Sequence, residues 1–255
     1  LQDVFAEQLD LSEQELLCFT DPGKLNEWHA YYGYPDVAAA RAGVKGAKEL
    51  SRHLGITYLE LYDLLNTRFI NPRSHELEVL HRLNSSPAEI FSYYGRAGYP
   101  VHPDPEGFSN ELAAISSKAI DAPSWVKNAY DQGRFDDILV LQDQQAGCDM
   151  STTALQRADR TDADDLCFVR LALFVRLWRK LSWTIREVDD ALFCFFPKAT
   201  DPITNEVLAD VGSFDKLADG FATALIGIAH MEVLSKRFKA GKPGRVKWLS
   251  LWGDL

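Results

Sequence analysis

The sequence predicts a mainly α fold, an irregular multi-helix bundle of packed helical hairpins with one small β-hairpin near 137–156. Three observations lead there. A pattern of leucine, two residues, Ser or Thr, two residues, Glu and an aliphatic residue recurs four times. The longest apolar stretches repeat at spacings of three and four, as one face of a helix does. A β-branched run followed by alternating Thr, Ala and Leu marks the hairpin.

In chain order, residues 1–98 alternate helical patterns with Asp21-Pro22-Gly23 and Asn71-Pro72, which stop helices, and form an N-terminal helical lobe. Tyr99 to Gly107 carries Pro100, Pro103 and Pro105 and is expected to hold no helix, so 99–124 is taken as a Pro-rich connector. Residues 125–255 form a second helical lobe, unless both lobes share one continuous domain. In it, Asp137 to Leu141 and Met150 to Gln156 pair as a hairpin around Gly147. Acids at Asp162 to Asp165 open a helix, and Leu166 to Leu181 is apolar around most of its circumference, as a helix buried on several sides would be. Arg170 falls between Leu177 and Leu181 on that helix and needs a carboxylate partner, for which Asp189 or Asp190 is available. The last long helix, Ser213 to Lys239, places Phe214, Leu217, Phe221, Leu225 and Ile228 on one stripe and runs into a basic, loop-like end through Lys242-Pro243-Gly244.

The recurring pattern is that of a capping box, in which the hydroxyl accepts from the amide three residues on and the Glu side chain returns to the cap amide. Its copies are Leu9, Ser12, Glu15, Leu16; Leu54, Thr57, Glu60, Leu61; Leu83, Ser86, Glu89, Ile90; and Leu181, Thr184, Glu187, Val188. Leu11, Ile56 and Trp183 precede three of the caps and can staple onto Leu16, Leu61 and Val188. Arg52, Leu54, Thr57, Glu60 and Asp63 also match Arg179, Leu181, Thr184, Glu187 and Asp190 at a constant offset. The four caps have no fixed period, so helical-hairpin packing accounts for the match better than duplication or a solenoid does.

Composition narrows function mainly by exclusion. The 255 residues are 46% hydrophobic and 25% charged, with 37 acids against 27 bases and a formal net charge of −10, which opposes general attraction to nucleic acid or anionic membrane. Cys18, Cys148, Cys167 and Cys194 are too scattered for a zinc site or a disulfide framework and read as buried free thiols. Leu1 opens the chain without a basic or apolar leader, and no run of about 18 apolar residues occurs, so neither signal peptide nor membrane span is expected. A first residue other than Met is expected of a fragment.

Candidate chemistry is sparse. His29, His53, His75, His81, His102 and His230 lack paired metal spacing, and no P-loop, GxSxG or GxGxxG occurs. The pairs Asp136-Asp137, Asp164-Asp165 and Asp189-Asp190 point about 100° apart on a helix and are expected to be solvated faces or helix-start charges. His230 and Glu232 form at most a chance polar pair. Glu49 to Leu61 resembles a helix-turn-helix, but Thr57 to Asn66 offers Tyr58, Leu59, Glu60, Tyr62 and Asp63 and no base, a poor surface for phosphates. The basic run Lys236-Arg237, Lys239, Lys242, Arg245 and Lys247 complements a helix C-terminus. Catalytic, cofactor and metal residues are therefore expected to be none.

Four stretches carry a family resemblance. Phe174 to Leu192 contains Arg176-Leu177-Trp178-Arg179-Lys180-Leu181-Ser182-Trp183, and Cys148-Asp149-Met150-Ser151-Thr152-Thr153-Ala154-Leu155 lies upstream. Leu54-Gly55-Ile56-Thr57 leads to Thr67-Arg68-Phe69-Ile70-Asn71-Pro72, and Trp248 to Leu255 reads Trp-Leu-Ser-Leu-Trp-Gly-Asp-Leu. Together they resemble the A subunits of Tc insecticidal toxin complexes. The resemblance implies a segment of the α-helical shell around the channel of a large pore-forming homopentamer. It also implies a non-enzymatic, structural role in assembly and channel protection, and secretion as part of the parent toxin. Implied partners are other regions and protomers of that toxin, with no nucleic acid and no direct membrane contact. Ser182 stands where the family usually has Gly, and the chain stops inside the last stretch. The competing expectations are a nucleic-acid-binding helix-turn-helix module and an uncharacterised helical enzyme.

Overall fold

The N-terminal half is divided into many short helices, most of them opened by a polar cap or a proline. The computed structural model describes residues 2–116, 121–143, 152–237 and 249. Its helices are α1 (Gln2–Gln8), α2 (Glu13–Thr20), α3 (Pro22–Asn26), a 3-10 turn (Trp28–Tyr32), α4 (Val37–Gly43), α5 (Ala47–Leu54), α6 (Tyr58–Leu65), α7 (Ser74–Arg82), α8 (Pro87–Tyr93), α9 (Pro105–Ile115) and α10 (Ala122–Asp131). Strands β1 (Leu139–Asp143) and β2 (Thr153–Arg157) follow, then α11 (Asp165–Leu181), α12 (Ile185–Phe195), β3 (Lys198–Thr200), β4 (Val207–Ala209) and α13 (Phe214–Arg237). The chain is mainly α, with two small antiparallel hairpins among the described residues, β1–β2 and β3–β4. Gly147, the expected apex of the first hairpin, and most of the basic run after Arg237 lie outside the described residues.

Three of the four repeated helix starts are full capping boxes. Ser12 with Glu15, Thr57 with Glu60 and Thr184 with Glu187 each exchange both hydrogen bonds. At the fourth, Ser86 Oγ accepts from the Glu89 amide, but the Glu89 carboxylate accepts from the Ser85 hydroxyl instead of returning to the cap. Thr184→Ala should therefore cost about 1–2 kcal/mol, and Ser86→Ala no more than about 1 kcal/mol, measured by urea unfolding. The expectation that Tyr99 to Gly107 holds no helix is corrected at its end. Pro105 is the first residue of α9, where its missing amide has no partner to lose, and Asp104 caps the turn by accepting from Gly107 N at 2.9 Å.

Ser182 closes α11 at φ 53°, in the left-handed region that Gly occupies without strain. Ser182→Gly should relieve about 1 kcal/mol of backbone strain and raise the unfolding midpoint. An unchanged midpoint would show that the turn gains nothing from glycine's freedom.

Two hydrophobic cores result. The first joins both ends of the sequence, from Ala6 to Ile70 and from Ala163 to Met231, around α11 and α13. The second is built from Leu77, Leu80, Ile90, Phe91, Val126 and Phe135, and the 99–124 stretch adds Phe108, Leu112 and Ala122 to it. The first hairpin stands between them. Its side chains alternate, so Leu139, Leu141 and Leu155 join the first core while Ile138 and Val140 join the second. Gln142 and Leu141 pair with Ala154 and Leu155 across the strands, and Leu155 N donates to Lys45 O at 2.9 Å.

By length and composition α13 could cross a membrane, with mean hydropathy 1.4, but half of that apolar window is buried inside the protein. Its central position explains the apolarity. Phe221 lies fully buried against Phe19, Phe69 and Phe196 at ring distances of 5.3–5.5 Å. Gly220 and Gly227 give α12 its approach, since a Cβ on either would lie within 2.5 Å of the Phe196 or Phe195 ring.

Candidate functional site

The most elaborate polar arrangement among the described residues joins the loop after α6 to the middle of α12. Thr67 fixes that loop through Thr67 Oγ1 to Leu64 O at 2.6 Å. The following peptide groups then point at α12, where Asp189 and Asp190 are both buried. Asp189 accepts from Phe69 N at 2.9 Å through one oxygen, and from Arg68 N and Nε at 3.2 Å through the other. Arg68 Nη2 donates to Asp190 at 2.5 Å, and its guanidinium lies 4.0 Å from the centre of the Phe193 ring. Burial raises the Asp190 carboxyl above its ordinary value, against the opposing pull of Arg68. These two acids are thus an internal clamp, which corrects the expectation of solvated faces. Adjacent residues on a helix do diverge, but a long arginine side chain laid along the helix spans both.

Arg170 is also buried, yet its partner is no carboxylate. Its Nη1 donates to Phe69 O at 3.3 Å, and Nε has no hydrogen-bond partner. Burial lowers its pKa from the usual arginine value, against an opposing pull from Cys167 and Asp164. Asp189 and Asp190, proposed from sequence as its partners, serve Arg68 instead. The Phe69 peptide is therefore held on both sides, its N–H by Asp189 and its C=O by Arg170, while its ring packs against Phe174, Phe196 and Phe221.

A second charged cluster was not found from sequence. Glu76 on α7 is fully buried and accepts from Arg134 Nε and Nη2 at 3.0 and 2.8 Å. Arg73 lies 3.8 Å from the same oxygen and pairs with Asp201 in the β3–β4 turn at 2.8 Å. The partners are 58 and 128 residues apart (134 − 76 and 201 − 73), so no local pattern announces them.

The other sequence candidates fall into structural places. Asp164 caps α11 by accepting from Cys167 N at 2.8 Å, and Asp165 forms a two-pronged pair with Arg41 at 2.7 Å that holds its carboxyl below the ordinary range. Asp136 pairs with Arg96 and Asp137 with Arg157. Glu232 accepts from Trp183 Nε1 at 2.8 Å, while His230 packs edge-on against Phe5, so those two residues form no pair. Cys18, Cys167 and Cys194 are free thiols, and Cys148 lies outside the described residues. Among the described residues no three His, Cys, Asp or Glu side chains gather as a metal ion would need.

The helix-turn-helix stretch forms as α5, a left-handed turn at Gly55 with φ 64°, and α6. Leu59 is 72% exposed, and Tyr62 and Asp63 face solvent beside it. Of the five matched positions, the Thr and Glu build the same capping box in both hairpins, whereas the Arg and Asp do different things. Arg52 pairs with Glu49, whereas Arg179 donates to the Gly55 carbonyl; Asp63 is solvated, whereas Asp190 is buried on Arg68.

No family model, curated protein or solved structure matches the chain.

Proposed function

We propose that this chain is a non-enzymatic structural segment of the helical shell of a Tc-type toxin A subunit, contributing to assembly and to protection of the channel. The observation that carries the reading is that two of the toxin-like stretches bind each other, and the other two bond to residues close beside them in sequence. Arg68 of Thr67 to Pro72 is clamped by Asp189 and Asp190 of Phe174 to Leu192, and Arg179 of that second stretch donates to Gly55 of Leu54 to Thr57. Leu155, from the stretch that begins at Cys148, is bonded to Lys45 just before α5, and Leu249 O lies 3.6 Å from Cys194 Sγ near the end of α12. Each contact satisfies a main-chain group, a buried charge or a packed face, and the residues that would mark the family are spent on holding the fold. Its partners are then other regions and protomers of the parent toxin, and it is extracellular as part of that toxin.

The decisive test is the coding sequence around the segment. Continuation on both sides into one very long reading frame with an apolar channel region supports the proposal; an isolated short frame overturns it. On the protein itself, titration of random duplex DNA should show no tight, salt-sensitive binding. Affinity falling steeply with salt would mean phosphate contacts and a nucleic-acid module instead.

A further inference from the structure

The cleft between α2 and α11 differs from the rest of this acidic surface. It measures about 290 Å³ and is lined by Leu11, Glu15, Phe19, Arg176, Arg179 and Lys180. Leu11 and Phe19 reach its base with the small part of their surface that the chain leaves uncovered. Three cations against one acid leave the lining at +2, on a chain whose net charge is −10.

The two arginines are held by groups that leave their charge uncompensated. Arg176 lies 4.8 Å from the centre of the Tyr31 ring, and Arg179 donates to the Gly55 carbonyl. Arg41, Arg52, Arg68, Arg73, Arg82, Arg96, Arg134 and Arg157 have a carboxylate within ion-pair distance, whereas Arg160, Arg170, Arg186 and Arg237 have none among the described residues. Neither cleft arginine has one among the described residues, although acids outnumber bases. Lys180 is occupied, with Glu15 at 3.4 Å and Asp10 at 3.5 Å. Glu15 is itself tied to its cap: Ser12 N donates to Glu15 Oε2 at 2.8 Å, and hydrogen bonds from Ser12 hold its carboxyl below the ordinary range. Glu15 is therefore not free to turn and neutralise the arginines. Two guanidiniums fixed at one rim, each with unused N–H donors, are arranged to receive a planar anion.

We infer that this cleft binds a small amphipathic carboxylate, with the carboxylate on Arg176 and Arg179 and a short apolar body over Leu11 and Phe19. The volume corresponds to roughly ten water molecules, which limits the ligand to about ten non-hydrogen atoms and excludes a drug-sized occupant. An inorganic anion would leave that part of Leu11 and Phe19 uncovered, and an uncharged ligand would leave both guanidiniums without a partner. The inference does not depend on the toxin reading, and either can fail without the other.

Octanoate is a suitable probe, titrated into the full chain and followed by calorimetry and by NMR of the Arg176 and Arg179 Nε–H signals. Saturable binding is expected, with both Nε–H signals shifting. Octanamide and inorganic phosphate should each bind roughly tenfold more weakly or not at all. Arg176→Gln and Arg179→Gln should each lose about tenfold in affinity, whereas Arg186→Gln, which removes the same charge from an exposed site on α12, should change nothing. Retention of the far-ultraviolet circular dichroism spectrum separates loss of the site from loss of the fold. Equal binding of octanoate and octanamide, equal binding of phosphate, an equal effect of Arg186→Gln, or no saturable binding of octanoate would each overturn the inference. Binding of an acidic peptide without octanoate binding would also overturn it, and would make the cleft a protein contact.

Discussion

Asp189→Ala is expected to destabilise the chain by about 3–5 kcal/mol, read as the loss of unfolding free energy in urea. The substitution removes the acceptor for two main-chain amides, those of Arg68 and Phe69, and the partner of Arg68 Nε. Only the last of these is an ion pair in the ordinary sense. The amides belong to a buried loop and cannot rotate toward solvent, so each is left with an unmet donor. Asp189→Asn retains one side-chain oxygen and should recover part of the loss. Asp190→Asn should change stability by about 1 kcal/mol or less, because Arg68 is partly exposed and loss of the Asp190 charge also removes its burial penalty. Equal effects at the two aspartates would show that the clamp works through charge alone and that the main-chain bonds contribute little.

Glu76→Ala should have a comparable effect, about 3–5 kcal/mol. It leaves Arg134 without its buried acceptor and Arg73 dependent on Asp201 alone. Glu76→Gln keeps the shape and removes the charge, and should fall between wild type and Glu76→Ala. One feature tempers the expectation: Glu76 Oε2 and Arg73 Nη1 are both buried without a hydrogen-bond partner, so the native arrangement already carries a desolvation penalty. A measured loss below about 1 kcal/mol would mean that this penalty nearly cancels the attraction between the charges.

The contrast between these clusters and the capping boxes shows what sequence can reveal. A capping box is local, its partners three residues apart, and Thr57 with Glu60 or Thr184 with Glu187 can be recognised wherever they occur. The helical class followed from the same local signals. Arg170 was recognisable as a buried charge from the apolar circumference of its helix, but its partner is a main-chain carbonyl, and carbonyls have no residue type to find. Asp189 and Asp190 read from sequence as diverging acids or as partners for Arg170, whereas their actual partner lies about 120 residues earlier and reaches across both. Pro105 reads as a helix breaker under a prohibition that holds inside a helix but not at its first residue. Glu76, Arg134, Arg73 and Asp201 had no signal beyond being charged, since only the folded chain brings them together.

Asn71 carries a consequence for how the chain is put together. Its fully buried side chain donates to Leu65 O at 3.0 Å and to Leu139 O at 3.2 Å, and accepts from Leu139 N at 3.3 Å. One amide therefore fastens the point where the backbone leaves the first core to the point where it returns, with nearly all of the second core strung between them. The intervening stretch is topologically a loop with closed ends, and a short bridge from 71 to 139 could replace it without rerouting the helices around α13. The first core, by contrast, is assembled from segments a hundred residues apart in sequence, and its folding must wait for the chain to close on itself.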